Sequence, residues 1–140
     1  MGAITLDQAN TIIAAAFAKG QELGLKPLSV AVLCPGGHLI AFQRADGAST
    51  LRPQIATGKA SGALALGVNS RAIADMAADR PTFVASLGPI SQGGIIPAAG
   101  GVIVRDSAGA IVGAVGITGD TSDNDETCAL AGIGAAGLAA

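Results

Sequence analysis

Aromatic side chains are nearly missing from this 140-residue chain: it has no Trp, no Tyr and three Phe. Alanine, glycine and β-branched residues must therefore fill most of the interior, and helices and strands have to approach closely to leave no voids. The same shortage removes the stacking platforms on which single-stranded nucleic acids are bound. Positive charge is scarce as well. Eight Lys and Arg against ten Asp and Glu leave a formal net charge of -2, without the basic surface that nucleic-acid binding needs, so no nucleic-acid partner is expected. Histidine occurs once, at His38, so a conventional zinc site would need carboxylate or cysteine help. The two cysteines, Cys34 and Cys128, are far apart and lack metal-ligand spacing. Buried thiols in a reduced, cytoplasmic setting are the simplest reading, with a disulfide between them left open. No apolar run is long enough for a membrane span, and Met1 to Asp7 shows no signal-peptide pattern. The length suits one domain over residues 1–140, large enough to bury a core without staples.

The apolar pattern divides the chain into alternating helices and hairpins. Thr5 with Gln8 forms a capping box, and Leu6, Ala9, Ile13, Ala16 and Gly20 recur at helical spacing, predicting a helix over 5–23. Leu28 to Cys34 and His38 to Arg44 are two β-rich runs joined by Pro35-Gly36-Gly37, a hairpin whose nearly continuous first strand belongs in the middle of a sheet. A helix over 52–68 follows, with Pro53 in its first turn. Its interior holds Gly58, Ser61, Gly62 and Gly67, and the glycines cost about 1 kcal/mol each against alanine unless close backbone approach to the sheet or another subunit offsets them. Ser70 is placed to cap a helix over 71–79, and a short helical turn covers 82–87. Residues 88–101 form a Gly- and Pro-rich loop in which Ile95 and Ile96 suggest a short strand. Val102 to Arg105 and Ala110 to Ile117 make a second hairpin, and a helix over 123–138 ends the chain. Hairpins separated by helices imply an antiparallel sheet with helices packed on it, an α+β fold.

Four of the ten acidic residues, Asp120, Asp123, Asp125 and Glu126, crowd the segment after the last strand. They line a ligand or metal site, or they begin a helix, with Ser122 or Asp123 as cap and the next acids favouring its dipole. The spacing is not that of an EF-hand. Arg52 and Lys59 are seven residues apart, about two helical turns, and so share a face that can hold a carboxylate or phosphate or simply form salt bridges. Lys59, set among small apolar residues, is the stronger candidate and, half-buried, could also act as a base. His38 follows a Gly-Gly turn and is either an ordinary exposed polar residue or a metal or haem ligand. Gly93-Gly94 and Gly100-Gly101 offer backbone amides to an anion, without a phosphate-loop lysine. Ser61 and Ser91 lack the context of a nucleophile elbow.

Taken together, several segments resemble the GlcG/HbpS-like (haem-degrading-domain) family. They are Ser29 to Phe42, Gly58-Lys59-Ala60, Gly100-Gly101-Val102, Gly113-Ala114-Val115-Gly116-Ile117-Thr118-Gly119, and Asp125-Glu126 followed by Ala131-Gly132. The resemblance spans nearly the whole chain in order. It implies a profilin-like α/β sandwich with a five-stranded antiparallel sheet flanked by helices, and homo-oligomers, often octamers built from dimers. It also implies haem binding or degradation in some members. Three functions follow as expectations. The first is a cytoplasmic binding protein for haem or another anionic cofactor, with Arg52, His38, Gly93, Gly94 and Thr118 around the ligand and no resident metal. The second is an isomerase, tautomerase or lyase on a hydroxy- or oxo-acid, with Lys59, Asp125 and Glu126 catalytic. The third is an accessory structural oligomer. In the first two, Asp125 and Glu126 are expected to face Lys59.

Overall fold

The computed structural model describes residues 2–140. Helix α1 (Leu6–Glu22) starts at the expected capping box: Gln8 N donates to Thr5 Oγ1 at 3.1 Å and Thr5 N to Gln8 Oε1 at 2.9 Å. Its buried side is Ala9, Ile12, Ile13, Ala16 and Gly20, whereas Leu6 is 58% exposed and lies outside the stripe assigned to it from spacing. Strands β1 (Ser29–Leu33) and β2 (Leu39–Arg44) form the first hairpin. Helices α2 (Arg52–Leu66), α3 (Ser70–Asp79) and α4 (Pro81–Leu87) follow, the last running into a 3-10 turn over Gly88–Ile90. Strands β3 (Gly101–Arg105) and β4 (Ile111–Thr118) precede helix α5 (Ser122–Ala135). No helix among the described residues is long and apolar enough to cross a membrane.

All strand pairs are antiparallel, in the order β2-β1-β4-β3. β1 lies inside the sheet and is buried along its length, as its unbroken apolar run requires. The sheet has four strands, not the five expected. Ile95 and Ile96 form no strand, because they lie over α2, filling the space above Gly62 and Gly58. The outer edge of β3 is closed by other means. Gly101 N donates to Ser70 Oγ at 2.7 Å, Ile103 N to Asn69 Oδ1 at 2.9 Å, and Arg105 exchanges two backbone bonds with Ala139. Ser70 therefore does not cap α3; Asn69 is the N-cap, and both side chains serve the strand.

The two faces of the sheet differ in residue size. Val30, Val32, Val102, Val104, Val115 and Ile117 meet α1 and α5 in the main core. The opposite face carries Ala31, Ala114, Gly101 and Gly116, and α2 lies directly on it. A Cβ at Gly116 would stand 1.9 Å from the Ala56 carbonyl oxygen, so only glycine admits the helix there. The close approach expected at the glycines of α2 exists, but with a different partner. Gly58 and Gly62 receive Ile96 and Ile95 of the long loop, while glycines of the strands receive the backbone of α2.

Candidate functional site

The end of β4 and the start of α5 form the first polar cluster. Lys59 projects from the sheet-facing side of α2, and its Nζ donates to Ile117 O at 2.9 Å and to Asp125 Oδ2 at 3.1 Å. Asp125 Oδ1 accepts from Asp120 N at 3.0 Å. Lys59 is 3% and Asp125 1% exposed, so the pair is shielded from solvent and from any substrate in this conformation. Burial holds Lys59 below the ordinary lysine range and pushes Asp125 above the ordinary carboxylate range, while each partner's charge pulls the other back. The expected meeting of Lys59 with the acidic segment thus holds for Asp125. It does not hold for Glu126, which accepts from Arg71 Nε at 3.0 Å on the surface, where Arg71 also binds Asp123. Glu126 follows Asp125 on a helix, and a step of one residue turns it about 100° away from Lys59.

The remaining acids organise the chain. Asp120 accepts from Lys26 N, Thr121 N and Asn124 Nδ2 at 2.8–3.0 Å. Those bonds, the Asn124 amide foremost, lower its pKa to about 2. The cap of α5 is Thr121, whose Oγ1 accepts from Asn124 N, and not Ser122 or Asp123. The folded-state pKa of Asp120 lies below its ordinary 3.8, so its contribution to stability is present above that pH and lost as the pH falls toward about 2. Urea titrations across this window should show a shallower acid loss for Asp120→Asn than for the parent.

At the start of α2, Arg52 Nη1 donates to Thr118 Oγ1 at 2.7 Å, bringing together two of the residues assigned to ligand binding. Beside them is a group that the sequence did not single out. Ser29 pairs with Thr118 in register, and its buried Oγ has no hydrogen-bond partner. An orphaned hydroxyl inside a protein is uncommon and calls for an explanation.

A second cluster surrounds a cavity of about 550 Å³ at the other end of α2. The β1–β2 turn supplies Gly36, Gly37 and His38; α2 supplies Ser61 and Leu64; the loop supplies Ile90, Ser91, Gln92, Gly93 and Gly94. Ser61 Oγ donates to Gly94 O at 2.6 Å and pins the loop to the helix. Its spacing three residues after Gly58 and next to Gly62, on the small-residue side of α2, was the available signal for this role. His38, Gly93 and Gly94 therefore share one cavity, while Arg52, Thr118 and Lys59 belong to the other cluster. Both cysteines are free; Cys128 is buried as expected, but Cys34, beside the turn, is only partly so.

The family model described as haem degrading protein HbpS-like matches residues 4–134. The chain belongs to the HbpS-like family. Comparison with curated proteins gives no match. Among solved structures, this HbpS-like chain is similar to HbpS, with 30% identity, a TM-score of 0.79, and coverage of 94% of this chain and 89% of that one. It is also similar to Klebsiella pneumoniae protein ORFY, at 28% identity and a TM-score of 0.84, covering 96% of this chain and 90% of that one. PduOC, solved as a haem complex, is 22% identical with a TM-score of 0.85, covering 98% and 97% of the two chains; this likeness concerns the fold.

Proposed function

We propose that this HbpS-like protein binds haem, or another flat anionic cofactor, in the cavity between the β1–β2 turn and the glycine loop, where the imidazole of His38 would hold it. The observation that carries this reading is the convergence of His38, Gly93 and Gly94 on one cavity of about 550 Å³. That size falls within the roughly 300–1,000 Å³ usual for cofactor sites. The donor set fits the group: an imidazole is a common haem ligand, and Leu64 and Ile90 give apolar surface for a ring. Ile90 is 80% exposed, apolar surface that a bound ring would cover. No charged side chain lines the cavity, so the acid groups of such a cofactor would point to solvent. Bound haem would supply an iron centre. The chain's part is to hold it through His38 and to fix the loop through Ser61. The HbpS-like family description and the PduOC haem complex support the assignment.

Titration of the purified protein with hemin tests it. A saturable Soret shift is expected in the wild type, weakened at least about tenfold in His38→Ala, the scale of one lost coordinating contact. Absence of the shift, or an unchanged titration in His38→Ala, would overturn the proposal.

A further inference from the structure

The polar cluster at the start of α2 has the composition of an anion site separate from the His38 cavity. Three of its side chains lie on one row across the sheet: Arg44 of β2 opposite Ser29 of β1, and Ser29 opposite Thr118 of β4. Side chains directly opposite in an antiparallel sheet point to the same face. That face is the one covered by α2, since the same register places Ala31 opposite Gly116, the residue against Ala56. Arg52 reaches down from α2 to Thr118. Ser29, fully buried, thus sits in register between the exposed Arg44 and Thr118, the residue that Arg52 reaches, and its Oγ has no partner.

Neither arginine is matched by an acid. Among the described residues no carboxylate lies within 4.0 Å of Arg44 or Arg52, and the single side-chain hydrogen bond of Arg52 goes to Thr118. The first turn of α2 contains no acidic residue, and its N-cap, Leu51, has no side-chain cap. Lys59, two turns further along the helix, already has its carboxylate in Asp125. Arg52 without a carboxylate, two hydroxyls on the same face and Arg44 at its exposed rim suit a negative charge supplied from outside.

From this arrangement we infer that Arg52, Arg44, Ser29 and Thr118 form a binding site for the carboxylate of a small organic acid. The backbone selects this class over phosphate. Arg52 N donates to Ser49 O, Ile55 N donates to Leu51 O, and Pro53 has no N–H, so the helix start keeps few free amides for a tetrahedral dianion. A planar carboxylate needs fewer donors and matches the fork of a guanidinium. Phe42 lies two residues before Arg44, opposite Ala31, on the same face and half-buried, and it gives apolar surface to the body of the acid. Entry requires Arg52 to swing from Thr118, which frees both hydroxyls for the incoming oxygens.

Benzoate is a suitable probe, with the uncharged benzamide and inorganic phosphate as comparisons, followed by ¹⁵N NMR titration. Saturable shifts at Ser29, Thr118 and Arg52 are expected with benzoate and not with the other two. Arg52→Gln should weaken binding at least about tenfold, the usual scale of a lost charge-assisted bond. Ser29→Ala should weaken it several-fold while the urea midpoint stays the same or rises, because no protein partner is lost. Equal binding of benzamide, tighter binding of phosphate, or wild-type affinity in folded Arg52→Gln would overturn the inference. So would wild-type affinity in Ser29→Ala, which would make the orphaned hydroxyl a packing fault. His38→Ala separates this site from the haem reading: it should lose the hemin response and keep benzoate binding, and loss of both would overturn the independence of the two sites.

Discussion

Lys59→Met should cost about 3–5 kcal/mol of folding stability at neutral pH, the scale of breaking one side of a buried ion pair. The reason is the state of Asp125, which the substitution leaves at 1% exposure with the Asp120 amide as its remaining hydrogen-bond partner. Burial already holds the folded-state pKa of Asp125 above its ordinary value, and removal of the ammonium pushes it further up. The sign of the pH effect follows. A carboxyl whose folded pKa is raised gains stability as the pH falls through that pKa, so the penalty should shrink in mild acid and grow in mild base. Replacing both partners, as in Lys59→Met with Asp125→Leu, should recover most of the loss, since an apolar pair of similar volume leaves no charge in the interior. Urea unfolding of the four members of this cycle at two pH values measures the coupling directly. A Lys59→Met variant within about 1 kcal/mol of the parent would show the pair to be worth no more than a surface contact.

Gly116→Ala is expected to cost about 3 kcal/mol or more, at the upper end of overpacking penalties, and to reduce soluble yield. The new methyl would stand 1.9 Å from the Ala56 carbonyl oxygen, and the obstacle is backbone, so no rotamer change relieves it. The whole of α2 would have to lift from the sheet, disturbing Lys59 and Arg52 together. Gly134→Ala in α5 provides the contrast. That position is helical and has nothing within 4 Å of an added Cβ, so the substitution should be neutral or stabilise by up to about 1 kcal/mol. Thermal unfolding of the two variants side by side tests whether glycine content here reflects packing or mere composition.

The contrast between those glycines marks where the sequence was legible. Periodicity and capping chemistry located α1 and both hairpins to within a residue or two, because these elements are specified by neighbours in the chain. The scarcity of aromatics correctly implied close approach of helix and sheet. It could not say which glycine meets which backbone, since that depends on register across β1 and β4. The fifth strand was expected from resemblance and is replaced by side chains of Asn69 and Ser70 and by the Ala139 bridge, contacts over 30 residues apart with no local signature. Among site residues, the pairing of Lys59 with Asp125 was readable as the one cation among small residues and one of several acids at a strand end. Choosing Asp125 over Glu126 required the rotation of α5. Ser29 gave no signal at all, because a serine in a strand is unremarkable until its cross-strand neighbours and its empty hydroxyl are seen.

The sealing of β3 has a further consequence for how copies of this sheet can add to one another. With one side occupied by Asn69, Ser70 and Ala139, and the other ending at β2, the sheet has a single valence for strand-to-strand growth. A unit with one valence terminates at a pair. Two copies joined β2 to β2 would consume both reactive sides in a closed, two-fold arrangement and leave nothing to extend into a fibre. Opening the β3 side, for instance by removing the Asn69 and Ser70 side chains, would turn a chain terminator into a monomer capable of polymerising.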